Sequence, residues 1–294
     1  MYGGGEDCIS LIPHFDGPAA DQDNEAPMRQ LPRSIVITGA SSGLGAALAL
    51  QYAGTGRALG LLGRDQGRLE AVAARCRALG ADTSIGAFDL SDTAALDTWM
   101  QAFGAAHPID LLIVNAGAFT GNGAAPAMET SEACIATLRV NLEGAIRTVQ
   151  AAVPMLRARR SGHIAIVGSL AALQPLADAP TYSASKAGLM SYGEALREWL
   201  LPDNVAVSLI YPGHIATRQT SGHVGNLPLM LSADAAAARI KRGLDRRRSF
   251  IAFPRRMLWL IRAGRLLPWR ARRWFGRGLR FHVDEDAVET NRPR

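Results

Sequence analysis

The chain has 294 residues, 48% of them apolar and 20% charged, so it is long enough for one large or two small domains and is not globally disordered. No apolar run reaches the roughly 18 residues of a membrane-spanning helix, and the first residues lack the pattern of a secretory signal. Cys8, Cys76 and Cys134 stand singly without zinc-site spacing, which favours a reduced, cytoplasmic setting.

The net charge of +6 hides a strong asymmetry along the chain. Residues 239–280 contain 15 Lys and Arg residues and one acid, Asp245, a net charge of +14, so the remainder carries −8. Such a basic segment indicates an anionic partner, either membrane headgroups or nucleic acid.

Apolar runs and helical patterns alternate along the chain after residues 1–32, which we interpret as a flexible extension. Ser91 and Ser232 are placed to cap the helices that follow them, and residues 213–231 are expected to be irregular. In chain order the pattern predicts strand 35–37, helix 44–53, strand 58–62, helix 66–79, strand 83–88, a helix after Ser91 to about 106, strand 109–114, helix 129–159, strand 163–167, helix 181–200, strand 205–210, helix 233–246 and strand 249–253.

The continuous apolar strands predict an α/β protein in which a parallel sheet is covered on both faces. Right-handed crossovers then give a doubly wound, Rossmann-like sheet. We expect residues 33–254 to form one dinucleotide-binding catalytic domain, followed by a basic amphipathic extension over 255–294.

A glycine-rich turn, residues 38–45, separates the first strand from the first helix. Gly39 suits a tight turn, Gly43 allows a pyrophosphate to approach the backbone, and Gly45 allows close packing of helix and strand. The free N–H groups at the helix start favour an anion, so the turn predicts nucleotide binding. Its residues are Thr38, Gly39, Ala40, Ser41, Ser42, Gly43, Leu44 and Gly45.

This turn resembles the TGxxxGxG turn of the short-chain dehydrogenase/reductase family, and further motifs follow in the family's order over about 34–253. Val114 departs from the pattern, since family members often have a second asparagine there. The matching positions are Asn115, Ala116, Gly117, Asn141, Ser169, Tyr182 to Lys186, and Pro212, Gly213, His214, Ile215, Ala216 and Thr217.

The end of the second strand indicates which nicotinamide cofactor is bound, because an acid there binds a ribose hydroxyl and an arginine accommodates a 2′-phosphate. Here Arg64 precedes Asp65, which favours NADP over NAD. The alternative is a solvated Arg64 with Asp65 as a helix cap. By resemblance, Asp89 and Leu90 contact the adenine, although Asp89 is equally suited to cap its own loop. The resemblance also implies cofactor contacts from Asn115, Ala116, Gly117, Tyr182, Lys186, Pro212, Gly213, Ile215 and Thr217.

Tyr182 and Lys186 lie four residues apart on a predicted helix, so they share one face, and a neighbouring ammonium is expected to lower the pKa of the phenol. Ser169 ends a strand where doubly wound folds bind ligands. The resemblance implies that Tyr182 is the general acid/base, that Lys186 also binds the nicotinamide ribose, and that Ser169 orients the substrate oxygen. It implies that Asn141 supports a water linking Lys186 to solvent.

These motifs predict an oxidoreductase that transfers hydride between NADP(H) and a carbonyl or secondary alcohol. The alternatives are a catalytically silent NADP sensor on the same fold and a dinucleotide-dependent lyase or epimerase. No metal-site motif occurs, and His214 is a weaker candidate beside the nicotinamide or the substrate. By resemblance, helices 129–159 and 181–200 pair two subunits.

The substrate pocket is expected to be formed by residues 118–128, 170–181 and 213–231 and to be apolar. Ordinary anchoring of these loops in the core is the alternative. The expected apolar residues are Phe119, Leu170, Leu173, Leu176, Leu227, Leu229, Met230 and Leu231.

Short amphipathic helices are predicted at 255–266 and 269–277, where tryptophans and arginines interrupt every apolar run. This pattern favours peripheral attachment of 255–280 to the inner face of a membrane, or packing on protein, over nucleic-acid binding.

Overall fold

Residues 31–119, 128–217, 223–225, 229–268 and 281–283 are described by the structure, a computed structural model. The predicted extension up to residue 30 and the predicted helix 269–277 lie outside the described residues. The strands are β1 (Ser34–Thr38), β2 (Ala58–Gly63), β3 (Asp82–Ala87), β4 (Leu111–Val114), β5 (Gly162–Val167), β6 (Val205–Pro212), β7 (Ile215–Ala216), β8 (His223–Gly225), β9 (Leu231–Ser232), β10 (Phe250–Phe253) and β11 (Phe281–Val283). The α-helices are α1 (Gly43–Tyr52), α2 (Gln66–Ala78), α3 (Thr93–Ala106), α4 (Ser131–Leu138), α5 (Gly144–Arg159), α6 (Pro180–Leu200), α7 (Ala233–Asp245) and α8 (Arg255–Arg265).

Among the described residues, seven strands form one parallel sheet in the order β10-β6-β5-β4-β1-β2-β3. The chain builds outward from β1 through β2 and β3, and then returns to add β4, β5, β6 and β10 on the other side. The order therefore reverses between β1 and β4, where doubly wound sheets bind ligands at the carboxyl ends of the strands. The predicted fold class is confirmed.

The two faces of the sheet carry separate apolar cores because successive side chains of a strand point to opposite faces. On β1, Ile35 and Ile37 pack with α1, α2 and α7, whereas Val36 packs with α3, α5 and α6. Both cores cover the central strands completely, which explains why the strands appear in the sequence as unbroken apolar runs.

The predicted helix 129–159 is wrong in one detail, since a π-helical turn, Arg139–Glu143, separates α4 from α5. The π turn inserts one additional residue and holds Asn141 in a fully buried position. No proline or glycine precedes this turn within α4, so the sequence pattern does not reveal it.

Of the two predicted helix caps, Ser91 is wrong and Ser232 is confirmed, and the stretch predicted to be irregular contains paired strands. Asp92, not Ser91, caps α3, because Ser91 instead donates to Asp89 Oδ1 through its backbone N–H and its hydroxyl. Ser232 caps α7 as predicted, accepting a hydrogen bond from the N–H of Ala235. The stretch 213–231 is not wholly irregular, since β7 pairs in parallel with β9.

A buried histidine on β5 makes stability depend on pH. His163 Nε2 lies 2.7 Å from Ser208 Oγ, and the Ser208 hydroxyl donates to the Arg248 carbonyl, so the imidazole Nε2–H donates to the serine oxygen. Burial, aided by the charge of Arg247, lowers the pKa of His163 to about 4. An unfolded histidine has a pKa of about 6.5, so between these two values the unfolded state binds more protons.

We therefore expect the free energy of unfolding to fall as the pH drops from about 6.5 towards 4, by up to about 3 kcal/mol. Urea unfolding at a series of pH values measures this change. His163→Gln should flatten the pH dependence of the free energy of unfolding in that window. Equal slopes for the wild type and His163→Gln would contradict the assignment.

Candidate active site

The carboxyl ends of β1 and β4 are tied together by Thr38 and Asn115. Thr38 Oγ1 accepts hydrogen bonds from the backbone N–H groups of Asn115 at 2.9 Å and Ala116 at 3.0 Å. In return, Asn115 Nδ2 donates to the Thr38 carbonyl at 3.0 Å. These bonds fix the two loops that flank the reversal point of the sheet.

The turn between β1 and α1 has the backbone that its glycines allow. Gly43 has a φ of +54°, which favours glycine, and a Cβ there would lie 3.2 Å from the Thr217 side chain. A Cβ at Gly45 would overlap the Gly39 carbonyl oxygen, so only glycine permits α1 to start this close to β1. The N-terminal end of α1 therefore opens directly towards the reversal point.

Charged side chains surround the end of β2. Arg64 is half-exposed, and its Nη1 lies 4.0 Å from Asp89 Oδ2. Asp65 caps α2 by accepting from the N–H of Arg68 at 2.9 Å, and it also forms an ion pair with the Arg68 guanidinium at 2.8 Å. The carboxylate of Asp65 is thus engaged at the helix start, and Arg68 is a second arginine here that the sequence analysis missed.

Ser169 and Tyr182 meet at the carboxyl end of β5. Ser169 Oγ accepts from the N–H of Ala171 at 3.0 Å, which fixes the turn after the strand, and its hydroxyl hydrogen-bonds Tyr182 in the first turn of α6. The Phe119 ring packs 4.7 Å from the Tyr182 ring. Burial raises the pKa of Tyr182, and the bond from Ser169 opposes that rise.

Lys186 lies one turn further along α6 and is almost completely buried. Its Nζ donates to the Val167 carbonyl at 3.1 Å and stands 5.9 Å from the centroid of the Tyr182 ring. Burial lowers the pKa of Lys186 to about 8. The expected lowering of the Tyr182 pKa by Lys186 is wrong for this geometry, because burial of the phenol dominates and raises its pKa.

The buried Asn141 side chain fixes the loop after β4 through hydrogen bonds to its backbone. Its Oδ1 accepts from the N–H of Ala118 at 2.7 Å, and its Nδ2 donates to the Ala118 carbonyl at 2.8 Å and to Ser185 Oγ at 3.1 Å. The Ser185 hydroxyl donates in turn to the Tyr182 carbonyl at 2.7 Å. One buried amide therefore connects the β4 loop to the helix that carries Tyr182.

These elements enclose a cleft of about 630 Å³. Of the predicted site residues, Thr38 and Asn141 lie beneath the cleft wall and the others line it. The lining ones are Gly39, Ser41, Ser42, Gly43, Leu44, Gly45, Arg64, Asp89, Leu90, Asn115, Ala116, Gly117, Ser169, Tyr182, Lys186, Pro212, Gly213, Ile215 and Thr217.

Comparison with known proteins gives a consistent result. The family model for short chain dehydrogenase matches residues 33–224. An uncharacterized oxidoreductase from Myxococcus xanthus is 32% identical over 238 residues, covering 80% of this chain and 93% of that protein.

The chain belongs to the short-chain dehydrogenase/reductase family. It is thus an oxidoreductase of the kind that acts on CH–OH and C=O groups. A short-chain dehydrogenase from Sphingobium yanoikuyae, solved with NADPH, superposes with a TM-score of 0.67 at 29% identity and covers 76% of this chain and 88% of its own. A family member from Burkholderia phymatum, solved with NAD, gives a TM-score of 0.70 at 25% identity, with coverages of 78% and 92%.

The apolar part of this dehydrogenase cleft differs from the prediction. Phe119, Leu170 and Leu176 line it as expected. In contrast, Leu173 and Leu231 pack against the two cores, Leu229 and Met230 are exposed, and Leu227 lies outside the described residues.

The predicted pocket segments do not include Met257 and Ile261, two lining residues on α8. Their spacing of four residues on an amphipathic helix is the pattern that points to them. Among the described residues, no cluster of three or more His, Cys, Asp or Glu side chains is arranged to hold a metal ion.

Proposed function

We propose that the chain is an NADP(H)-dependent oxidoreductase that interconverts a carbonyl compound and a secondary alcohol. The observation that carries this proposal is the single cleft in which the start of α1 meets Ser169, Tyr182 and Lys186. The α1 start suits a pyrophosphate, and the three side chains suit proton transfer to a substrate oxygen.

The described residues fit a bound dinucleotide. The missing Cβ of Gly43 leaves the backbone open at the positive end of α1, where it would hold the pyrophosphate, and the missing Cβ of Gly45 lets α1 start close to β1. Asp89 and Leu90 would flank the adenine, and Asn115, Ala116, Gly117, Pro212, Gly213, Ile215 and Thr217 would surround the nicotinamide end. When bound, the nicotinamide supplies or accepts the hydride.

The side chains at the nicotinamide end orient the substrate, donate the proton and bind the cofactor. Ser169 orients the substrate oxygen through its hydroxyl, and Tyr182 donates the proton to that oxygen during reduction. A raised pKa keeps the phenol of Tyr182 protonated at neutral pH, which suits proton donation. Lys186 would hold the nicotinamide ribose, and Asn141, which fixes Ala118, would support a water that links Lys186 to solvent.

The cofactor preference is argued from the β2 end. Asp65 is occupied as the cap of α2, whereas Arg64 and Arg68 both line the cleft beside it. Two guanidinium groups and an engaged acid favour a ribose 2′-phosphate over a free 2′-hydroxyl. NADP is therefore proposed ahead of NAD.

We propose an apolar substrate, because Phe119, Leu170, Leu176, Met257 and Ile261 line the cleft that contains Ser169. For a series of straight-chain aldehydes, we expect kcat/KM to rise by up to about threefold to fourfold for each CH₂ group buried, following the transfer free energy of a methylene. Steady-state kinetics with NADPH as the reductant measures this trend. A flat or falling series would count against an apolar site.

The alternative is a catalytically silent NADP sensor. The relatives compared are named as an oxidoreductase and dehydrogenases, which gives this alternative no support. A screen of aldehydes, ketones and alcohols, followed at the NADPH absorbance band, separates the two functions. Tight NADPH binding without turnover of any compound would favour the sensor.

We propose a homodimer formed by α4, α5 and α6. Ile135 and Leu138 on α4 are exposed apolar residues that fit a self-complementary contact. Light scattering at micromolar concentration should give twice the monomer mass, and a monomer mass would exclude this assembly.

We also propose an anionic membrane surface as the partner of residues 255–280. No Asp or Glu occurs between Asp245 and Asp284, so the segment carries only positive formal charge at neutral pH. No helix among the described residues is both long enough and apolar enough to cross a bilayer.

A further inference from the structure

Helix α8 has two apolar faces that point in different directions. On one side, Met257 and Ile261 line the cleft and Leu258 is buried in the core beside β10. On the other side, Trp259 and Leu260 are 64% and 73% exposed. A helix that merely covered its own sheet would not need a second apolar face.

Arginines border the exposed face. Arg255, Arg256 and Arg265 are exposed, and the Arg262 guanidinium stands 5.6 Å from the Phe250 ring and 6.0 Å from the Trp259 ring. Leu266, just after the helix, is also strongly exposed. Tryptophan and leucine side by side with guanidinium groups match the interface of an anionic bilayer, where rings sit at headgroup depth and arginines meet lipid phosphates.

We propose that α8 docks its outward face, defined by Trp259, Leu260 and Leu266, on an anionic lipid surface, and that its inward face selects a membrane-dissolved carbonyl substrate. The docking rests on charge complementarity and on the exposed tryptophan. The selection rests on the proposed function, since Met257 and Ile261 then contact the substrate. A single helix would thus link lipid contact to the cleft.

Vesicle sedimentation tests the docking without any turnover. The full chain should sediment with phosphatidylcholine vesicles containing phosphatidylserine at low salt, and release should follow added salt. The double variant Trp259→Ser/Leu260→Ser should partition at least about tenfold less, because two apolar side chains no longer enter the interface. Trp199→Ser is the matched control. Trp199 is also exposed and has the Arg157 guanidinium over its ring, but it lies near the C-terminal end of α6 and not on α8.

Kinetics test the inward face separately. Met257→Ala and Ile261→Ala should keep vesicle binding and raise KM for long-chain aldehydes more than for short ones. The outward double variant should keep kcat/KM for a short, water-soluble aldehyde. If vesicles bind but no carbonyl is reduced, the proposed function fails and the docking stands.

Two outcomes would overturn the docking. The folded chain could fail to sediment with anionic vesicles, or the outward double variant could bind them like the wild type. A change of solution mass in that variant, without a change in vesicle binding, would show that a second copy covers α8.

A separate cluster stands at the start of α6. Glu129 Oε2 accepts from the N–H of Thr181 at 3.0 Å and from its hydroxyl at 2.6 Å. Cys134 Sγ lies 3.1 Å from the same hydroxyl oxygen. Glu129 Oε1 is shielded from solvent and has no hydrogen-bond partner among the described residues, so the carboxylate is costly to hold there.

We infer that Glu129 is a positioning residue for Tyr182. Thr181 immediately precedes Tyr182, so its two bonds to Glu129 fix the first turn of α6 and with it the direction of the phenol. This inference rests on the proposed role of Tyr182. It assigns to a residue before α4 a part in aligning the proton donor.

Matched substitutions separate positioning from folding. Thr181→Val removes the hydroxyl bond and should lower kcat about tenfold with little change in the KM for NADPH, whereas Thr181→Ser should restore kcat. The kcat of Glu129→Gln should lie between that of Glu129→Ala and that of the wild type. The inference fails if folded Thr181→Val keeps the wild-type kcat, or if Ser and Val at this position behave alike.

Discussion

Replacing Tyr182 by phenylalanine should lower kcat for carbonyl reduction by about 10²- to 10⁴-fold, the range that a positioned proton donor contributes. The ring and its packing on Phe119 remain, so NADPH affinity and thermal stability should change little. The measurement is steady-state turnover of a confirmed substrate together with NADPH binding followed by fluorescence.

Tyr192→Phe is the matched control, since it makes the same change on the same helix away from the cleft lining. Its kcat should match the wild type. The pH dependence adds a second readout: because burial raises the Tyr182 pKa, alcohol oxidation, which needs the phenolate, should speed up as the pH rises above neutrality. Wild-type turnover by purified, folded Tyr182→Phe would remove Tyr182 from the mechanism.

Arg64→Ala should raise the KM for NADPH by about 10- to 100-fold and leave the KM for NADH nearly unchanged. The lost hydrogen bond joins two charged groups and is worth about 1.5–3 kcal/mol, with the lower end favoured because Arg64 is half-exposed. Steady-state kinetics with both cofactors gives the ratio directly.

Arg68→Ala should produce a smaller rise in the KM for NADPH. Arg75, which is exposed, lies on α2 like Arg68 but outside the cleft lining, so Arg75→Ala should leave this KM unchanged. A similar rise for NADPH and NADH in Arg64→Ala would exclude contact with the 2′-phosphate. Higher salt should reduce the difference between the KM values for NADPH and NADH in the wild type, because salt screens a partly solvated ion pair.

The sheet could be predicted from the sequence because its strands are buried on both faces and therefore appear as unbroken apolar runs, as in Ile35 to Ile37. The glycine turn and the pair Tyr182 and Lys186 could be predicted because they are local patterns. Such patterns predict the relative positions of site residues that lie close together along the chain.

The missed features depend on contacts between distant segments. Glu129 reaches Thr181 across 52 residues, which no local pattern indicates. Burial raises the pKa of the Tyr182 phenol, whereas its adjacency to Lys186 along the helix predicted a lowered pKa. Leu173 and Leu231 are apolar like their neighbours, but tertiary packing turns them to the cores rather than to the cleft.

The π turn at Arg139–Glu143 sets the rotational phase of α4. One inserted residue turns all earlier side chains by about 100° about the helix axis relative to an unbroken helix. Thr137 and Asn141 are fully buried in this phase, while Ile135 and Leu138 face outward. Deleting one residue of the turn would rotate those two apolar side chains off the surface and withdraw the amide that grips Ala118. The same inserted residue thus aligns the amide that bonds Ala118 and exposes Ile135 and Leu138 on α4, so loss of the insertion would disturb both at once.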